Sequence, residues 1–315
     1  MNLKFILSIV FGIVFCSGLW GCNGADQQIK TSVEPDVAQT KITQAPITIG
    51  ASYTFPSKIM GENREINVWL PPKYNESVTQ KFPVLYVIDG GTAQDFHHIS
   101  GLAQLGSISA MYEDLIVVGI KTQNRLNELA HPASDPRYIH PAPRVGKSQF
   151  FSEYVRTEVL PFIGNTYRVS DRRVIVGESL AGLFITEMFL KHPDSFTDYI
   201  AISPSLWWDD KNLAKLAPEL IAKHSDAARK LYLTMGDEGG TMQGGLDLVM
   251  AAINADTPKG LDWKYADRGK SAKHSTIYHG ASLDALLFMF GIPVPDYGPD
   301  PWYLVEGGQP EDDEK

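Results

Sequence analysis

Residues 172–190, RRVIVGESLAGLFITEMFL, constrain this chain more than any other stretch. Val174, Ile175 and Val176 are β-branched and read as a short strand. Gly177-Glu178-Ser179 then turns directly into a long apolar helix. A serine at such a corner is held in a strained backbone, so the residues two before and two after it must be small. Here they are Gly177 and Ala181, followed by Gly182. The pattern departs from G-x-S-x-G only by the methyl group of Ala181. Alone, that pentapeptide is common by chance; between a buried strand and an apolar helix it marks a serine nucleophile presented at a strand end. The competing reading is a serine N-cap on an ordinary strand-to-helix turn.

The rest of the chain repeats strands and helices around this corner. Phe82–Ile88 (FPVLYVI) and Leu115–Ile120 (LIVVGI) are nearly continuous apolar runs, the pattern of strands covered on both faces in a mainly parallel sheet. Segments 47–56, 64–70, 199–202, 230–235 and 261–266 add further strands. Helices are expected over 96–111, 148–163, 246–255 and 282–290, with Pro161 kinking the last turn of the second. With 315 residues, 43% of them hydrophobic, and no linker between Pro46 and Tyr303, the fold class expected is one three-layer α/β domain over 46–303. The order and the elbow together specify the α/β-hydrolase fold. The net charge of −9 and the lack of any basic run argue against nucleic acid as a partner.

In that fold the triad follows the chain order serine, acid, histidine. A late histidine is therefore required, and His274 lies after the last strand with His279 close behind. Two carboxylates, Asp237 and Glu238, follow the strand that ends at Met235. The oxyanion of an acyl intermediate needs two backbone N–H donors. One is Leu180, after the nucleophile; the other is Gly91, or alternatively Gly90, in the loop after Ile88. Trp207 and Trp208, beyond the strand 199–202, could pack on an aryl or acyl group, or instead anchor the loop to the core. Arg125 could meet an acidic group of the substrate. His192 reads as a helix C-terminal residue, and His97-His98 lack the ligand spacing of a metal site, so no metal and no cofactor are assigned.

The segments VGESLAGLF, HPDSFTDYIAISPSLWWDD, LYLTMGDEGGTMQGG and KHSTIYHGASLDALLFMFG resemble the putative-esterase family of α/β-hydrolases over roughly 46–291. That family includes esterase D, feruloyl esterases, mycolyl transferases and siderophore esterases, and SPSLWWD is most similar to the last. The resemblance implies a serine esterase with Ser179 as nucleophile and His274, directly before the small Ser275, as general base; His279 is then structural or at the surface. It implies Glu238 as the acid, with Asp237 the alternative and a Ser–His dyad a third arrangement. An ester of siderophore, aryl or hydroxy-acid type is the expected substrate. An acyltransferase, or an inactive binding lipoprotein, would use the same fold.

The N-terminus reads separately. Lys4 and the apolar run Phe5–Phe15 form a secretory signal over 1–21, too short to span a bilayer convincingly. Leu19-Trp20-Gly21-Cys22 resembles a bacterial lipobox, which implies lipidation of Cys22. Cys16 is the only other cysteine, so the mature domain has no disulfide. Residues 22–45 read as a disordered tether, reaching on the order of 25–30 Å, and 304–315 as an acidic tail. Export and a membrane anchor follow as expectations, on the outer membrane in a Gram-negative cell because residue 23 is Asn. Replacing Cys22 by Ala is expected to move the protein into the soluble fraction; unchanged membrane fractionation would contradict lipidation.

Overall fold

The computed structural model describes residues 43–139, 146–293, 298 and 300–309. The expected signal, Cys22, the tether up to residue 42 and the acidic run 311–314 lie outside the described residues. The chain divides into units Met1–Ile47 and Thr48–Lys315. The described residues of the first, 43–47, are exposed and without regular structure.

The second unit is built on one eight-stranded sheet. Its strands are β1 (Ala51–Pro56), β2 (Asn63–Trp69), β3 (Phe82–Ile88), β4 (Ile116–Ile120), β5 (Val169–Glu178), β6 (Asp198–Ile202), β7 (Arg229–Gly236) and β8 (Leu261–Gly269). They lie in the order β1-β2-β4-β3-β5-β6-β7-β8. β1 pairs with β2, and β2 with β4, antiparallel; every pair from β4 through β3 to β8 is parallel. This is the mainly parallel α/β-hydrolase sheet that the apolar runs predict.

Alternation along β3 shows how the layers form. Val84, Tyr86 and Ile88 join one core with the helix Leu180–Lys191, whereas Leu85 and Val87 join the other with the helices Phe96–Ile108 and Tyr278–Phe290. All seven residues of β3 are buried. Successive side chains of a strand point to opposite faces, so a strand covered on both sides has no place for a polar residue.

Three of the departures from the expectations have a physical reason in the sequence. The helix starting at Ser148 is not uniformly α-helical. It passes through a π turn, Val155–Val159, where the Leu160 N–H donates to the Val155 carbonyl, and continues over Leu160–Thr166. Pro161 has no N–H and crowds the carbonyl four residues back, and the wider turn absorbs that demand one turn earlier. The segment Trp208–Ile221 runs through three left-handed residues, Asp209, Asp210 and Lys211 at φ 49°, 52° and 62°, before it continues as a helix; that polar start and Pro218 inside it leave no helical signal in the sequence. The helix expected at 246 begins at Gly240, after Gly239 and Gly240 reverse the chain at φ 55° and 53°.

One buried ion pair holds the loop that follows β4. Arg64 is fully buried and donates to both oxygens of Glu128, at 2.9 Å each. The same carboxylate accepts the N–H groups of Gln123 and Asn124, at 3.1 and 3.0 Å. A buried charge pair is held only where further hydrogen bonds compensate desolvation. Here those bonds also fix the start of the short helix Arg125–Leu129.

Candidate active site

Ser179 stands between the end of β5 and the first residue of the helix Leu180–Lys191, with φ 62° and ψ −116°. Its N–H donates to the Ile202 carbonyl at 3.0 Å, and its own carbonyl accepts the Ser205 N–H at 3.0 Å. The corner closes because small residues flank it. A Cβ on Gly177 would lie 2.5 Å from the Ala181 methyl, and a Cβ on Gly182 would lie 2.9 Å from the Ile202 carbonyl oxygen. The Ala181 methyl is accommodated because Gly177 leaves it room.

The loops after β6, β7 and β8 bring partners to this corner. Ser179 Oγ is 3.0 Å from His274 Nε2, and His274 Nδ1 is 2.8 Å from Glu238 Oε2. The Glu238 side chain is 6% exposed, against 44% for His274. Asp237, the alternative acid, is exposed at the cleft rim. The structure therefore brings Glu238, not Asp237, to the imidazole. The second oxygen of Glu238 accepts the Ser203 hydroxyl, which also lies 3.1 Å from His274 Nδ1. Ser205 Oγ is 3.3 Å from Ser179 Oγ.

Ser203 and Ser205 were not singled out from sequence as site residues. Their position immediately after a fully buried strand, at the same sheet edge as Ser179, was the available signal. Ser203 has φ 46°, a second strained corner beside the first.

The oxyanion donors differ in availability. Leu180 N–H is at the first helical position, where no intrahelical acceptor exists. Gly91 N–H instead donates to Gln94 Oε1 at 2.9 Å, and Gly90 N–H to the Ile120 carbonyl at 2.9 Å. Gln94 is itself held through its amide by Thr122 Oγ1 at 2.9 Å. Buried backbone donors are almost always paired, and here a side chain supplies the acceptor at Gly91.

The cleft has a volume of about 660 Å³. Arg125, Leu180, Trp207, Met242 and Lys273 line it around Ser179 and His274. Trp207 stacks on Tyr138 with ring centres 5.9 Å apart. Trp208 does not face the cleft: it is buried, and its Nε1 donates to the His131 carbonyl at 2.9 Å. It is the anchor of the pair. Arg125 Nε donates to Asp89 Oδ2 at 2.6 Å and Nη2 to the Glu178 carbonyl at 3.2 Å, which fixes it at the rim. His98 Nε2 lies 2.9 Å from His279 Nδ1, so these two histidines pair with each other away from the serine.

Two carboxyls behind the nucleophile are hard to ionise. Burial pushes Glu178 up to about 7, helped by Asp95 and opposed by His274 and Arg125. Burial, with Asp89 adding repulsion, pushes Asp95 up to about 6.

This architecture and site match known proteins. The family described as putative esterase matches residues 57–280. The chain is 25% identical over 195 residues to the ferri-bacillibactin esterase BesA of Bacillus subtilis, an alignment covering 56% of this chain and 66% of that one. It is 33% identical over 97 residues to a siderophore enterobactin esterase of Emericella nidulans, covering 29% and 32%. These alignments span about two thirds and one third of the two relatives' lengths. Among solved structures, an IroE-like serine hydrolase from Shewanella oneidensis superimposes with a TM-score of 0.67 at 25% identity, covering 76% of this chain and 80% of that one. On the extent of the family match, the strand order and the serine corner, this chain belongs to the putative esterase family of α/β-hydrolases.

Proposed function

We propose that the protein is a serine ester hydrolase acting through an acyl-enzyme, and the observation that carries this is the hydrogen-bonded line Ser179–His274–Glu238. A hydroxyl attacks an ester only when a base takes its proton as the new bond forms. His274 Nε2, 3.0 Å from Oγ, is that base. Oγ bonds to the ester carbonyl carbon, and the carbonyl oxygen becomes an oxyanion. His274 then returns the proton to the leaving alkoxide as the carbon–oxygen bond breaks. Water repeats the sequence on the acyl-enzyme and releases the acid. Glu238 accepts a hydrogen bond from the His274 Nδ1–H, holds that tautomer and stabilises the imidazolium; Ser203 orients the carboxylate.

Leu180 supplies one oxyanion donor. Gly91 supplies the second once Gln94 turns aside, because its N–H is otherwise engaged. The complete Ser–His–carboxylate line favours an enzyme over an inactive binding module. The family relatives favour water over an alcohol as acceptor.

For substrate, we propose an ester of siderophore type. The names of two relatives support this, as does a cleft large enough for a bulky aryl or hydroxy-acid ester, with Trp207 and Met242 as apolar walls and Arg125 and Lys273 as cations. Export and lipidation at Cys22 complete the proposal and would hold the esterase at a membrane surface.

With p-nitrophenyl butyrate and a fluorophosphonate probe, Ser179→Ala is expected to abolish both turnover and labelling. Glu238→Ala is expected to lower kcat by about 10⁴-fold, the scale of a neutralised triad acid, with Asp237→Ala within about tenfold of wild type. Equal losses in the two acid variants would remove Glu238 from its role.

The Glu178 carboxyl gives a pH signature. Its folded value lies above the ordinary carboxylate value near 4.3, so the folded state binds the proton more tightly than the unfolded one. That stabilisation is complete below the ordinary value and is lost as pH rises through about 7. Thermal melts of Glu178→Gln should therefore match wild type near pH 4 and exceed it at pH 8. A variant no more stable than wild type at pH 8 would contradict the burial of this charge.

A further inference from the structure

The elbow strand carries a second cluster at its other end. Arg173 of β5 lies six residues before Ser179, roughly 20 Å away at 3.3 Å per residue. It shares a cavity of about 410 Å³ with Arg156 of the π turn, Lys191 and His192 at the end of the elbow helix, and Ser195.

The cations of this cavity are unequally satisfied. Lys191 pairs with Glu187 at 2.6 Å, and that carboxylate also accepts the Ser148 hydroxyl. Asp194, the one carboxylate in the lining, already pairs with Arg229. Among the described residues, neither Arg156 nor Arg173 has a carboxylate within 4.0 Å, and the Nε atoms of both are buried without a hydrogen-bond partner. Buried polar atoms are rarely left unpaired, and two such Nε atoms on the arginines of one cavity require an explanation. The carbonyls ending the elbow helix carry partial negative charge, which Lys191 offsets. The cavity therefore presents a net positive surface with unused planar donors.

We infer that this cavity is an anion site for a phosphoryl group, separate from the ester cleft. Guanidinium forks match the oxygens of a phosphoryl group and form charge-assisted hydrogen bonds with it. Arg156 and Arg173 approach it from different elements, and the Ser195 hydroxyl and His192 ring complete the wall. The π turn serves this arrangement: the widened turn that Pro161 imposes is the one that carries Arg156. π turns of this kind recur at functional sites. The phosphoryl group could belong to a soluble phosphate ester or to a phospholipid headgroup.

The two sources separate in one experiment on the full-length protein in detergent. Calorimetric titration with inorganic phosphate and with glycerol 3-phosphate, at constant ionic strength, is expected to show saturable binding. Arg173→Gln and Arg156→Gln should each weaken it about ten- to a hundredfold, the worth of a charge-assisted hydrogen bond. Sedimentation with phosphatidylglycerol–phosphatidylcholine vesicles, against phosphatidylcholine alone, reads the headgroup. A preference for the anionic vesicles that both variants lose assigns a lipid; phosphate binding without that preference assigns a soluble ester. Thermal midpoints establish that each variant folds. Should Arg173→Gln unfold, Arg156→Gln on the outer helix carries the same comparison. No saturable binding of phosphate, glycerol 3-phosphate or anionic vesicles by wild type would overturn the inference. So would binding that a folded variant leaves unchanged.

Discussion

The backbone of Ser179, held at φ 62° and ψ −116°, is the constraint on which the site depends. Such a conformation costs of the order of 1–3 kcal/mol and persists only where its surroundings impose it. Two hydrogen bonds do so, from Ser179 N–H to Ile202 and from Ser205 N–H to Ser179. Both tie the corner to the end of β6 and the loop beyond, so the strain is carried by the parallel sheet rather than by a mobile loop. The absence of a Cβ at Gly177 and Gly182 lets the elbow helix lie directly on the strand ends. The nucleophile is thus fixed before any substrate binds.

The electrostatics of the site divide into two kinds of carboxyl. Glu238 is buried but hydrogen-bonded to His274 and Ser203, and it faces the imidazolium that forms during catalysis. Glu178 and Asp95 are both raised above the ordinary carboxylate range, chiefly by burial, with Asp95 adding repulsion at Glu178 and Asp89 adding it at Asp95. In the proposed mechanism the raised Glu178 carboxyl opposes the developing oxyanion less than an ordinary carboxylate would, while Glu238 supplies the negative charge that offsets the His274 imidazolium. Arg125, locked between Asp89 and the Glu178 carbonyl, limits that repulsion and contributes a cation at the cleft rim.

The strands and the elbow were legible in the sequence because their signals are local. A strand covered on both faces must be apolar throughout, and a serine corner must be flanked by small residues. Topology demands a late histidine and leaves His274 and His279; the family resemblance, a small Ser275 after His274, separates them. Neighbouring pairs were less legible. Asp237 and Glu238 differ by one residue in a turn, and only the path after β7 decides which reaches the imidazole. Trp207 and Trp208 are likewise adjacent, yet one lines the cleft and the other is buried against the His131 carbonyl. Gln94 on Gly91, Ser203 on Glu238, and Arg156 beside Arg173 are contacts between distant segments. No periodicity records them; they exist only once the sheet has assembled.

The central claim is that Ser179 forms a covalent acyl intermediate. It is tested most directly by acid-quenching the protein during reaction with p-nitrophenyl dimethylcarbamate, whose carbamoyl-enzyme hydrolyses slowly, and mapping the modified peptide by mass spectrometry. The predicted result is one carbamoyl group per active molecule, on the peptide containing Ser179, formed in step with a burst of p-nitrophenol. Release of p-nitrophenol with no adduct, or with the adduct on another residue, would contradict it.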